Sequence, residues 1–155
     1  MNPQSLLGDL YHDGWKIISL KRHHFLRQAV SLLIVKQRSK WHDTYPNALK
    51  GLKLTLNCER LLGKLKSRER YFQKETDILA NIPHLALFYE DHLLKAESHQ
   101  NTLDRVFDYL GLDSVPVNTK LFRTSSDNFA DFIENYDEVV NVISQTKYAK
   151  FLHDL

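Results

Sequence analysis

The residues of this chain best placed to do chemistry fall in "WKIISLKRHHFLRQAVSLL", Trp15 to Leu33. A short apolar run ends in Lys21-Arg22, and a helical pattern follows within a residue or two. Arg22 can grip a phosphate through two parallel N–H bonds. The unpaired N–H groups at the start of the following helix would face the same anion. At helical spacing His24, Arg27 or Gln28, and Ser31 share a face. Ser31 stands among Ala29, Val30, Leu32, Leu33 and Ile34, so its hydroxyl needs a partner: the backbone carbonyl one turn earlier, or a ligand. Strand, arginine, helix start and serine together describe a phosphate pocket.

The flanking pattern supplies the elements that would hold such a pocket. "LLGDLY" has helical spacing and is stopped at Gly14, and "WKIISL" reads as a strand. Phe25 to Gln37 reads as a helix, and "SKWHDTYPNALKG" as a loop marked by Pro46 and Gly51. Asn57 is a good N-cap for a long helix to about Asn81, broken by Pro83. "HLALFYE" reads as a second strand, apolar enough to be buried on both faces. Asn101 to Leu110 is a helix closed by Gly111. Phe129 to Leu152 reads as mostly helical, with Tyr136, Val139, Val140, Ile143, Tyr148 and Phe151 inward. Strands alternating with long helices predict an α/β chain with parallel strands, and only about two are present.

At 155 residues, with 43% hydrophobic and 26% charged content, the chain is long enough for one domain with its own core. No apolar run approaches a membrane span, and the first residues carry no basic region followed by an apolar stretch. The single Cys58 cannot form an internal disulfide, which suits a reducing compartment, so a cytoplasmic location is expected. The eight histidines lack metal-ligand spacing, and the adjacent His23-His24 reads as polar surface. Residues 1–75 hold 15 Lys/Arg against 6 Asp/Glu, a balance of +9, and residues 76–155 hold 6 against 13, a balance of −7. The basic half either meets an anionic partner or attracts the acidic half. Nucleic acid is not the expected partner, because the basic residues are not interleaved with exposed aromatics. The GxxxxGK[ST] loop of nucleotide phosphotransferases is absent.

"SLKRHHFLRQAVSLLIVKQRSKWH" resembles the second cofactor motif of sulfotransferases that use 3′-phosphoadenosine 5′-phosphosulfate (PAPS), above all their bacterial carbohydrate branch. That motif is a strand, an Arg, and a Ser a little over two helical turns later. "LFYED", then "LDRVFDYLGL", is similar to the family's Tyr-Glu-Asp strand and the helix after it. "ENYDEV" resembles part of its tail, so the resemblance runs from Leu6 to Leu152. It implies one partial domain over residues 1–155, with an incomplete P-loop-like parallel sheet and long covering helices. It implies Arg22 and Ser31 as ligands of the 3′-phosphate of PAPS or of 3′,5′-adenosine diphosphate. Tyr89 is then an aromatic contact near the adenine, or else core packing at a strand end. Arg123, with Thr124 and Ser125, would lie over the nucleotide, or else form a solvated loop. Glu90 and Asp91 are expected to pin the following turn.

The family's Gly-rich 5′-phosphosulfate loop, with its nearby catalytic base, is expected before the first residue. The five glycines present (Gly8, Gly14, Gly51, Gly63 and Gly111) form no such loop. The resemblance therefore implies the C-terminal part of a sulfotransferase, inactive by itself, with a sugar hydroxyl as the full enzyme's acceptor. Trp41, His42 and Tyr45 would line the acceptor cleft or form a self-packed lid. The other expectation is a non-catalytic interaction module that associates through an open sheet edge.

Overall fold

Gly14 and Gly111 both adopt positive φ (88° and 72°), and each closes a helix where the sequence places a stop. In the computed structural model, residues 2–38, 53–119 and 128–153 are described. Eight longer elements succeed one another: α1 (Pro3–His12), β1 (Ile18–Lys21), α2 (Phe25–Arg38), α3 (Cys58–Leu79), β2 (Leu85–Phe88), α4 (Tyr89–His92), α5 (His99–Leu110) and α6 (Tyr136–Ser144). Short 3-10 turns at Ala96–Ser98, Phe129–Asp131 and Lys147–Leu152 join them. The chain is mixed α/β, and its two strands pair in parallel. No helix among the described residues is long and apolar enough to cross a membrane.

The chain divides into two compact units, Met1–His23 with Arg70–Asn118, and His24–Glu69 with Thr119–Leu155. In the first, β1 and β2 run in the register Ile18↔Leu85 to Lys21↔Phe88, so both strands end level. α1 is capped by Asn2, whose side chain accepts from Gln4 N–H at 3.0 Å. α5 ends in a Schellman turn: Gly111 N–H donates to Asp108 O at 3.0 Å and Leu112 N–H to Phe107 O at 2.9 Å. Thr102, buried on α5, donates its hydroxyl to His92 O at 2.8 Å, tying that helix to the turn after β2.

β2 is not buried on both faces as predicted, and β1 is open too. In β2 Leu87 is buried but Ala86 is exposed, and in β1 Ile18 and Leu20 are 39% and 54% exposed. A parallel strand is hidden on both sides only when a layer covers each side. An apolar run carries no information about whether that layer exists.

The second unit holds the larger core. Leu26, Ala29, Val30, Leu33 and Ile34 of α2 join Leu56, Leu61, Leu65, Phe132, Ile133, Val139 and Ile143. The segment expected to be mostly helical is broken between residues 132 and 135. There Leu54 and Ile133 form an isolated parallel bridge, with Leu54 N–H donating to Phe132 O at 2.8 Å and Glu134 N–H to Leu54 O at 3.0 Å. Asn135 prolongs it with its side chain, accepting from Leu56 N–H and donating to Leu56 O, both at 2.9 Å. Pairing with a residue some eighty positions away is a tertiary event that helical periodicity cannot report. The predicted inner face survives in pieces: Val139, Ile143 and Tyr148 are buried, while Tyr136, Val140 and Phe151 are half-buried. Tyr148 donates its hydroxyl to Glu69 at 2.9 Å; burial first, then that carboxylate, pushes the phenol up to about 12.

Candidate anion site at the end of the parallel strands

Because β1 and β2 end level, the residues that leave them meet. Arg22 and His23 follow β1, and Tyr89, Glu90 and Asp91 follow β2. All belong to the first unit. The C-terminal end of parallel strands is where open α/β sheets bind ligands.

Arg22 donates Nε–H to Glu90 Oε1 at 3.2 Å, and its guanidinium carbon lies 4.1 Å from the Tyr89 ring centroid. The second Glu90 oxygen accepts the His23 backbone N–H at 2.9 Å. Glu90 thus pins the turn after β1, not only its own turn as the sequence suggests. Burial pulls its carboxyl upward, but the His23 N–H, its own N–H and the Arg22 guanidinium outweigh it and leave it below the usual range. The His23 ring stacks on Phe88 (centroids 3.9 Å apart, planes 8° apart), and its Nε2 lies 3.2 Å from Asp91 Oδ2. Two consecutive residues after one strand are therefore held by two consecutive carboxylates after the other. Lys21 is engaged elsewhere, donating to Thr76 Oγ1 at 2.8 Å with its ammonium 4.9 Å from the Phe72 centroid.

Among the described residues the terminal amines of Arg22 have no protein partner; only Nε is taken. A guanidinium fixed at Nε, with its central carbon over the Tyr89 ring, is an arginine ordered before any ligand arrives. Such ordering lowers the entropic cost of a two-pronged contact to an oxyanion.

No protein-family model matches this chain, and no curated protein or solved structure matches it significantly.

The other sequence-derived candidates fare differently. Tyr89 stands at the strand end as expected, half-buried, with one face taken by Arg22. Ser31 lies on α2 in the second unit and is exposed, not enclosed by its apolar neighbours. Arg123, Thr124 and Ser125 lie outside the described residues, as do Trp41, His42 and Tyr45. The face expected to join His24 to Ser31 does not form, and His24 is not polar surface. His24 is buried, 5.3 Å from the Phe151 ring, and its Nδ1 accepts Arg27 N–H at 3.2 Å. It stands before the first helical residue and acts as the N-cap of α2, so its side chain escapes helical spacing.

The predicted charge asymmetry also changes meaning, because the units interleave the two sequence halves. The unit containing Arg22 has 7 Lys/Arg against 10 Asp/Glu, a balance of −3, and the other has 14 against 9, a balance of +5. Sequence reasoning also missed the Arg22–Glu90 and His23–Asp91 pairs. Their signal was the matched order Arg-His after one strand and Glu-Asp after the other, readable only once the register is known.

Proposed function

We propose that the turn after β1 binds a phosphorylated nucleotide of the 3′,5′-adenosine diphosphate or PAPS type, in a P-loop-like sheet of sulfotransferase lineage. The observation that carries this reading is Arg22, anchored at Nε by Glu90 and backed by Tyr89, with its terminal amines available to a phosphate. In the lineage reading those amines hold the nucleotide 3′-phosphate. Any base stacked on Tyr89 would use the face that Arg22 does not cover. Ser31, exposed on α2 in the other unit, enters on the resemblance alone, as does Arg123. Transfer of a sulfuryl group needs, besides this, a phosphosulfate cradle of backbone N–H groups and a base for the acceptor hydroxyl. The glycines of this sequence form no such cradle. The proposal is accordingly one of nucleotide binding, with sulfuryl transfer to a carbohydrate hydroxyl the activity of the lineage.

Calorimetry with 3′,5′-adenosine diphosphate, beside adenosine 5′-monophosphate, tests this. Selective binding of the 3′-phosphorylated nucleotide is expected. Arg22→Ala should weaken it by about 1.5–3 kcal/mol, the worth of a charge-assisted bond. Ser31→Ala should weaken it less, as suits a neutral hydroxyl in water. Equal affinity for both nucleotides, or no effect of Arg22→Ala, would overturn the reading.

A second reading rests on a separate observation. Ile18 and Leu20 of β1 are 39% and 54% exposed, and Trp15 just before the strand is 64% exposed. Each strand of the pair also has one edge unpaired among the described residues. An apolar strand with a free edge invites pairing with another chain, as expected of a non-catalytic interaction module. Mass that rises with concentration in sedimentation, without nucleotide binding, would favour it.

A further inference from the structure

His23 is held more firmly than an exposed histidine requires. Its backbone N–H is fixed by Glu90, its ring face by Phe88 and its Nε2 by Asp91. Its side chain is still 51% exposed, and among the described residues Nδ1 has no protein partner. The charged groups at this end of the sheet are Lys21, Arg22, Glu90 and Asp91, and with a neutral imidazole they cancel. Glu90 faces the His23 backbone and Arg22, Asp91 faces its ring, and Lys21 is turned to Thr76. Tyr89 and His92 are the other titratable groups of the turn: the Tyr89 ring lies against the Arg22 guanidinium, and His92 Nδ1 is folded back on Phe88, 3.0 Å from the N and 2.9 Å from the O. The surrounding unit is net negative. An anion drawn to the Arg22 terminal amines therefore also meets Glu90 and Asp91 close by, and one further cationic group would offset them.

We infer that His23 is a second ligand of the anion at Arg22, engaged only as the imidazolium, so that this site takes sulfate- or phosphate-class anions in a pH-dependent way. The two nitrogens carry the reason. With Nε2–H given to Asp91, a neutral ring offers a lone pair at Nδ1, which repels an anionic oxygen. One proton turns Nδ1 into a donor and gives the strand ends a net positive charge. Histidine is the side chain that makes this change between about pH 5 and 8. Asp91 holds the ring ready in either state, and Phe88 keeps it level with the end of the strands. The inference rests on the nucleotide reading only for the identity of the ligand; the anion chemistry stands without it.

Inorganic sulfate is the suitable probe, because its own charge is constant across this range. Sulfate is titrated into the full chain at about pH 6 and pH 8, following the His23 ring and Arg22 Nε–H resonances by NMR. Both are expected to move saturably at the lower pH, with affinity falling on the order of three- to tenfold at the higher, the loss of one partly exposed charge-assisted bond. In His23→Gln, which keeps the backbone bond to Glu90 and an unstrained surface, affinity should be low at both values. PH dependence that persists in His23→Gln would overturn the inference, as would a wild-type affinity that does not change with pH or a His23 ring that ignores sulfate. The nucleotide experiment reads out separately. Nucleotide binding weakened by Arg22→Ala, with no response at His23, would sink this inference and leave the nucleotide reading standing. Sulfate engaging both residues as described, with adenosine diphosphate binding no better than sulfate, would do the reverse.

Discussion

At the scale of the residue, Glu90 organises the candidate site. One carboxylate oxygen holds Arg22 and the other holds the His23 backbone, so one side chain fixes the two groups proposed to meet an anion. Its depressed pKa is also a stability contribution. That contribution is complete above the ordinary glutamate value of about 4.3 and lost as pH falls through the lower folded value. Glu90→Gln should therefore destabilise the chain by about 1 kcal/mol at neutral pH. The difference from wild type should shrink as the pH falls below the ordinary glutamate value and vanish once it has passed the lower folded value. Urea unfolding at both pH values checks this, and an equal difference in acid would show that packing, not charge, makes Glu90 matter. The sequence made Arg22 visible through its place after a strand, but hid the reason it is ordered. Glu90 lies sixty-eight positions away, and only the strand register joins them.

At the scale of the element, helix ends were easier to read than helix faces. Asn57 caps α3 as predicted, accepting Arg60 N–H at 2.8 Å, and Gly111 closes α5 in the left-handed conformation. Both depend on one local residue type with a backbone or hydrogen-bonding reason. Gly111→Ala should cost about 1 kcal/mol, because an L side chain is strained at φ 72°. A thermal melt decides it, and an unchanged midpoint would mean the α5 terminus frays without cost. Nothing lies within 4 Å of a Cβ built there, so crowding does not enter. Faces failed where partners lie far along the chain. His24 left its predicted stripe by becoming a cap, and the 129–152 segment broke where Asn135 reached Leu56.

At the scale of the whole molecule, burial is unequal between the two units. The α2–α6 unit has Leu26, Leu61, Leu65, Ile143 and Phe132 at 0–1% exposure, whereas β1 presents Ile18 and Leu20 to solvent. Local opening is easiest where few apolar groups are hidden. Amides of β1 should therefore exchange with deuterium well before those of the Leu26–Val30 stretch of α2. Ile143→Ala should remove about 2–5 kcal/mol of the protection in α2. Slower exchange in β1 than in α2 would mean that its exposed face is covered in solution.

Neighbouring residues specify what short-range physics can reach. Helix starts and stops, the parallel pairing implied by alternating strands and helices, and an arginine at a strand end all follow from neighbouring residue types. Which carboxylate holds Arg22, that His23 lies flat on Phe88 with Nε2 at Asp91, and that Ser31 faces solvent in a different unit from Arg22 emerge only on folding. Folding also redistributes the charge, because the chain crosses between units at His24, Arg70 and Thr119 and mixes the basic half with the acidic one. The reason is range. Capping, periodicity and turn chemistry act within a few residues, whereas strand register sets side by side groups that the sequence holds far apart.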